Sequence, residues 1–174
     1  ERSETHYLRS LDVTGAGLKT TVITAPELET VSLSDYRVIF LCNVDEVSDE
    51  RVDSLRQWVS DGGGLVIMPG DRVRAQTFNE TFYKNGDGLA PVKLQTIKGD
   101  PTLTQWVNFE VDPQIHPALK LVLESESTSV SKIDVFSWWT SSINSDLIGK
   151  TLAVPLRLTD QGSSPAMVDR SLGR

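Results

Sequence analysis

The stretch Arg37-Val38-Ile39-Phe40-Leu41-Cys42-Asn43-Val44, answered further on by Gly62-Gly63-Gly64-Leu65-Val66-Ile67-Met68-Pro69-Gly70-Asp71, decides the fold class. Its two apolar runs, Val38–Cys42 and Leu65–Met68, are short, rich in branched or aromatic residues and without polar alternation. Strands buried on both faces of a parallel sheet read this way. Between the runs, Ser48 stands where it can cap a helix, and Asp49 and Glu50 put negative charge on its first turn. Val52, Leu55 and Val59 recur at i, i+3 and i+7, a stripe that faces a sheet, with Trp58 beside it. Gly62 supplies the left-handed residue that ends a helix. Strand, helix and strand in so short a span predict a right-handed βαβ unit.

On either side of this unit the signals are weaker. Residues 3–11 suit a short helix with Ser3 as cap and Tyr7, Leu8 and Leu11 on one side, stopped by Gly15 and Gly17. Leu18–Thr24 is β-branched and reads as a strand ended by Pro26, and 26–33 as a short helix or loop. Residues 74–84 make a helix with Phe78 and Phe82 on one face, broken at Asn85-Gly86-Asp87-Gly88. From Leu89 onward, prolines punctuate short stretches such as Val92–Ile97 and Trp106–Val111, and His116-Pro117-Ala118-Leu119 starts a turn or helix. Val135–Ile143, Thr151–Leu158 and Ala166–Asp169 read as strands, the last two joined by a turn at 160–165. Residues 1–88 therefore form an α/β core and 89–174 an irregular β-rich part completing one domain. Both ends read as cut from a longer polypeptide.

The chain has 174 residues, a net charge of −7 and a single cysteine. That charge argues against a nucleic-acid backbone or an anionic membrane surface as partner. No apolar run approaches the roughly twenty residues needed to span a bilayer. One cysteine excludes an internal disulfide and a multi-cysteine metal site, and leaves the compartment open.

Five segments carry a likeness: Ser3-Glu4-Thr5-x-Tyr7-Leu8, Val38–Val44, residues 62–73, His116-Pro117-Ala118-Leu119 and Asp169-Arg170-Ser171-Leu172-Gly173-Arg174. Together the chain resembles the class I glutamine-amidotransferase-like domain of large bacterial membrane-anchored proteins. Those proteins also carry an aerotolerance-regulator-type N-terminal region and a von Willebrand factor A domain. The resemblance implies a flavodoxin-like, three-layer, doubly wound and mainly parallel sheet, with strands outside this stretch at either end. It also implies a periplasmic setting, a membrane anchor elsewhere in the polypeptide, and neighbouring domains or other envelope proteins as partners. Composition alone leaves a cytoplasmic setting equally open.

A working amidotransferase of this fold holds a nucleophilic cysteine on a glycine-flanked strand-to-helix turn, where backbone N–H groups meet the developing oxyanion. The matching turn here is Pro69-Gly70-Asp71-Arg72, without Cys, Ser or Thr. His116-Pro117 is in the wrong setting for the family's later His–Glu pair. No catalytic residue, cofactor or metal is therefore expected. Cys42, at the C-terminal end of its strand, is the one alternative nucleophile, for a hydrolase or amidotransferase-like enzyme. Its neighbours Leu41 and Asn43 make no elbow, and a buried free cysteine is commonly inert.

Asn43, Asp45, Gly70, Asp71 and Arg72 follow the two central strands, at the end where open α/β sheets bind ligands, and could line a polar crevice for a small ligand. The plainer reading is that Asp71 caps the next helix and pairs with Arg72 or Arg74. His6 and His116 lack metal-ligand spacing with any Cys or Asp. Gly62-Gly63-Gly64 precedes a strand rather than opening a helix, so it is a helix stop and not a phosphate loop. Asn79-Glu80-Thr81 fits the glycosylation triplet but falls mid-helix. Trp138 and Trp139 point to opposite faces of their strand, so the pair, with Phe136 and Trp106, marks either a two-sided core or an interaction surface.

Overall fold

The computed structural model describes residues 4–9, 19–99, 102–112, 114, 116–123 and 130–173. The chain is a mixed α/β protein that divides into two compact units, Glu1–Thr77 with Gly173–Arg174, and Phe78–Leu172.

In the first unit, short helices α1 (His6–Arg9) and α2 (Ala25–Leu28) precede strand β1 (Val38–Cys42), helix α3 (Asp49–Ser60) and strand β2 (Gly64–Met68). Helix α3 starts as its sequence dictates: the Ser48 hydroxyl accepts the Arg51 N–H at 3.1 Å. It ends as dictated too. Gly62 adopts φ +105°, and the Gly63 N–H reaches back to the Trp58 carbonyl at 3.0 Å, the closing bond of a Schellman turn. A Cβ on Gly63 would lie 2.3 Å from the Trp58 indole, so the ring folds over this turn only because the residue is glycine.

Strands β1 and β2 pair in parallel, Val38 opposite Gly64 through Cys42 opposite Met68, with α3 between them in the chain. The expected strand–helix–strand unit is present. Its burial differs from expectation. Leu41 is 3% exposed, and Val52 and Leu55 of α3 are buried, whereas Val38, Phe40, Val66 and Met68 on the other face are 49, 42, 38 and 39% exposed. The runs lack polar alternation because both faces are apolar, yet only one is covered among the described residues.

The segment expected as a strand at Leu18–Thr24 forms none over its described part, Lys19–Thr24. A β-branched run has no intrinsic reason to extend without a ladder partner. Thr24 instead leads into α2, its N–H and hydroxyl both donating to the Glu27 carboxylate at 2.7 and 2.8 Å. Ser3, Leu11, Gly15 and Gly17 of the expected first helix lie outside the described residues.

Helix α4 (Ala75–Phe78) runs on into a wider turn at Asn79–Tyr83, and Lys84 and Asn85 both take positive φ. Phe78 and Phe82 are buried with ring centroids 5.4 Å apart, the shared face expected from their spacing. The break is sterically enforced, since a Cβ on Gly88 would stand 2.0 Å from the Phe82 carbonyl oxygen.

The second unit continues with β3 (Val92–Gly99), β4 (Phe109–Val111), helix α5 (Pro117–Leu123), β5 (Ser137–Ile143), β6 (Leu152–Leu158) and β7 (Pro165–Arg170). Here the pairings β3–β5, β4–β6 and β6–β7 are all antiparallel. The mainly parallel sheet expected for the chain is therefore not what the described strands form: β6 and β7 are joined by a short hairpin, and β3–β5 and β4–β6 pair antiparallel across long stretches of chain. A bulge between Leu94 and Ile97 interrupts the β3–β5 ladder, and Thr140 repairs it. Its hydroxyl accepts the Thr96 N–H at 3.2 Å and donates to the Thr96 carbonyl at 3.0 Å.

Candidate functional site

The C-terminal ends of β1 and β2 bring four of the sequence-selected residues together. Asn43 follows β1 directly, in the left-handed region at φ +53° that asparagine tolerates better than most residues. Its N–H donates to the Met68 carbonyl at 2.9 Å, extending the parallel ladder by one bond. Its side chain, on a buried residue, is fully committed. The amide nitrogen donates to Glu4 Oε1 at 3.0 Å and to Asp71 Oδ1 at 2.9 Å, and the carbonyl oxygen accepts the Arg72 N–H at 3.0 Å.

Gly70 makes room for that carboxamide. A Cβ there would sit 2.4 Å from Asn43 Cγ. Arg72 reaches Glu4 across 3.4 Å. Asp45 is exposed and takes no part in these bonds; its neighbour Glu46 pairs with Arg74. Asp71 is thus neither a plain helix cap nor the partner of Arg74. It is one arm of an asparagine-centred clamp.

Glu4 is the member that sequence reasoning did not select. It lies 39 residues from Asn43, and no spacing rule joins them. The Asn43 bond is the main reason that the Glu4 and Asp71 carboxyls both ionise below their ordinary values, with Arg72 adding to the effect at each. Two carboxylates and one guanidinium leave the cluster net negative, unsuited to an anionic ligand, and the Asn43 carboxamide at its centre is spent on its neighbours.

Cys42 is half-buried at the same strand end. Burial first, and the Glu4 carboxylate second, push its thiol above the ordinary value. Both act against the thiolate that nucleophilic chemistry requires. Among the described residues, no group of three or more His, Cys, Asp or Glu converges as metal ligands. His116 meets Asp169 at 3.3 Å, a contact within the second unit.

Trp138 and Trp139, selected as an interaction surface, are both half-buried in β5. The exposed ring is Trp106, at 52%, held edge-on against Phe136 with centroids 6.2 Å apart. The glycosylation triplet is accounted for structurally. Asn79 donates to the Leu94 carbonyl at 2.8 Å and accepts the Leu94 N–H at 2.9 Å, standing in for a neighbouring strand. No helix among the described residues is long and apolar enough to cross a membrane.

No known protein family, curated protein or solved structure matches the chain.

Proposed function

We propose that this chain is a non-catalytic scaffold or interaction domain of a multidomain cell-envelope protein, built on an amidotransferase-like, doubly wound plan. The observation that carries the reading is the uncovered apolar face of the β1–β2 pair, formed by Val38, Phe40, Val66 and Met68. Parallel sheets occur almost only with both faces covered. An apolar face left in water on such a pair marks a surface completed by contact. Neighbouring domains of the same polypeptide are the partners this reading assigns to it.

The strand ends support the non-catalytic half of the reading. The Pro69-Gly70-Asp71-Arg72 turn offers no nucleophile, the Cys42 thiol is biased toward its protonated form, and the Asn43 carboxamide is already engaged by Glu4, Asp71 and Arg72.

A pull-down of flanking domains with wild type and Phe40→Glu tests the reading. Capture by wild type and its loss in a folded variant are expected. Equal capture by both would remove the β1–β2 face as the docking surface. Glutamine-dependent ammonia release that disappears in Cys42→Ala would replace the scaffold with an enzyme.

A further inference from the structure

Strand β1 has one ladder edge filled and one open. The Arg37 carbonyl accepts the Gly64 N–H at 3.0 Å, and the Asn43 N–H donates to the Met68 carbonyl at 2.9 Å, so the odd-numbered residues of β1 bond to β2. Val38, Phe40 and Cys42 therefore aim their N–H and carbonyl groups the other way. Those groups have no hydrogen-bond partner among the described residues. Backbone groups stay unpaired where water or another chain can reach them. We propose that this edge pairs with the same edge of a second copy of the chain, antiparallel about a two-fold axis at Phe40.

Three observations select a second copy. The first is that the edge is unguarded. Strand edges are blunted by charged residues, proline or bulges, and Val38–Cys42 has none of these, its register with β2 running without a shift. The opposite edge of the pair is guarded. Leu65 and Ile67 point outward there, but the next outward position is Pro69, which has no N–H.

The second is self-complementarity, which a two-fold contact requires. Val38 and Cys42 flank Phe40 evenly. An axis at Phe40 sets it opposite the partner's Phe40 and sets Val38 opposite the partner's Cys42. Each of these residues then exchanges both of its backbone bonds across the axis. Val38 and Phe40 are 49 and 42% exposed, which leaves room for cross-strand neighbours.

The third is charge. Arg37 opens β1 and Asp45 stands just past its end. Both are exposed, and neither side chain has a partner among the described residues. Antiparallel pairing lays Arg37 alongside residues 43–45 of the partner, and the symmetry repeats the contact. The net-negative Asn43 cluster at the same strand end adds to the attraction. Asp35 belongs to the short helix Leu33–Asp35 and lies off the ladder. This local match works against the general repulsion between two chains of charge −7. The contact uses the edge of the β1–β2 pair and not its apolar face, so it stands or falls separately from docking of a flanking domain.

Sedimentation equilibrium of the whole chain alone, from about 1 to 100 μM, tests the proposal. Wild type should pass from a 19.2 kDa monomer to a dimer of twice that mass. Val38→Pro removes an outward N–H that β2 does not use, and should weaken the dimer more than about tenfold. Arg37→Glu and Asp45→Arg should each weaken it about threefold or more. Combined, they exchange the two charges and should restore most of the wild-type association, a recovery that a misfolded variant cannot give. Should Val38→Pro fail to fold, the charge exchange decides alone. A wild type still monomeric at about 100 μM, growth beyond the dimer, wild-type association in a folded Val38→Pro, or no recovery in the double variant would each overturn it.

Discussion

Gly70 and Asn43 are sterically complementary: the space a Cβ would fill at residue 70 is occupied by the Asn43 carboxamide, 2.4 Å away at Cγ. Gly70 does not take a positive φ, so its requirement is for volume and not for backbone freedom. Gly70→Ala should therefore destabilise by about 1–3 kcal/mol, the cost of overpacking. In an Asn43→Ala background the same change should cost far less, because the clash partner is gone. Urea unfolding of the four proteins in this cycle measures the coupling. Additive effects would show that the carboxamide is not what Gly70 accommodates.

The clamp also fixes a pH dependence. Glu4 and Asp71 are depressed below 4.5 and 3.8, chiefly by the Asn43 bond. A depressed carboxylate contributes stability that is present above its unfolded value and is lost as pH falls through the folded one. Wild type should lose stability on acidification through this window, and Asn43→Ala should lose less of it. Asn43→Asp sets a third carboxylate between the other two, so it should be most destabilised near neutrality and recover as pH falls. Unfolding curves from pH 7 downward separate these slopes. A variant at residue 43 with the wild-type slope would detach Asn43 from both carboxylates.

Cys42 should behave as a structural thiol. Burial raises its pKa first and Glu4 second, so alkylation by iodoacetamide at neutral pH should be slow in the folded chain and fast on unfolding. Glu4→Gln removes only the second cause and should accelerate labelling modestly. Rapid labelling of the folded wild type would contradict the assignment.

What was legible in the sequence was what is local. The β1–α3–β2 unit declares itself through periodicity, the Ser48 cap and the Gly62 stop, all within a few residues of the features they control. The Phe78–Phe82 face was equally readable from spacing. The β6–β7 hairpin was legible from its turn at 160–165, but the β3–β5 and β4–β6 pairings were not, because register such as Lys98 opposite Trp138 joins residues forty apart in the chain. The failure at Lys19–Thr24 has the same root: strand propensity is expressed only where a partner exists. At the strand ends, Asn43, Gly70, Asp71 and Arg72 could be selected because they follow adjacent strands, while Glu4 arrives from a turn 39 residues away in the chain. Trp106 was visible as an aromatic, but that it is more exposed than Trp138 and Trp139 is set by tertiary packing and not by alternation.

Asn79 bridges β3 with two hydrogen bonds to Leu94, of 2.8 and 2.9 Å. Leu94 is itself buried, so without the amide its N–H and carbonyl lose these partners away from bulk water. An unsatisfied buried group costs about 1–3 kcal/mol. Asn79→Ala should cost about 2 kcal/mol or more on that basis. Asn79→Asp should cost a similar amount, because a carboxylate can accept the N–H but cannot donate to the carbonyl. Thermal unfolding of both variants checks this. An Asn79→Asp protein as stable as wild type would show that the donated bond contributes nothing.

Phe40 and Leu41 are adjacent in β1 and point to opposite faces, one 42% exposed and the other 3%. Their truncations should therefore diverge. Leu41→Ala opens a cavity in the covered face and should cost about 2–5 kcal/mol. Phe40→Ala truncates a side chain that is 42% exposed and should cost less than Leu41→Ala in the isolated chain, about 1 kcal/mol. The order should invert for association: Phe40→Ala should weaken capture of a flanking domain by about 2 kcal/mol or more if its ring is an anchor. The informative failure is a Phe40→Ala protein that loses several kcal/mol of stability on its own. Phe40 would then be core in solution, the β1–β2 face would be covered within the chain, and the interaction reading would lose the observation that carries it.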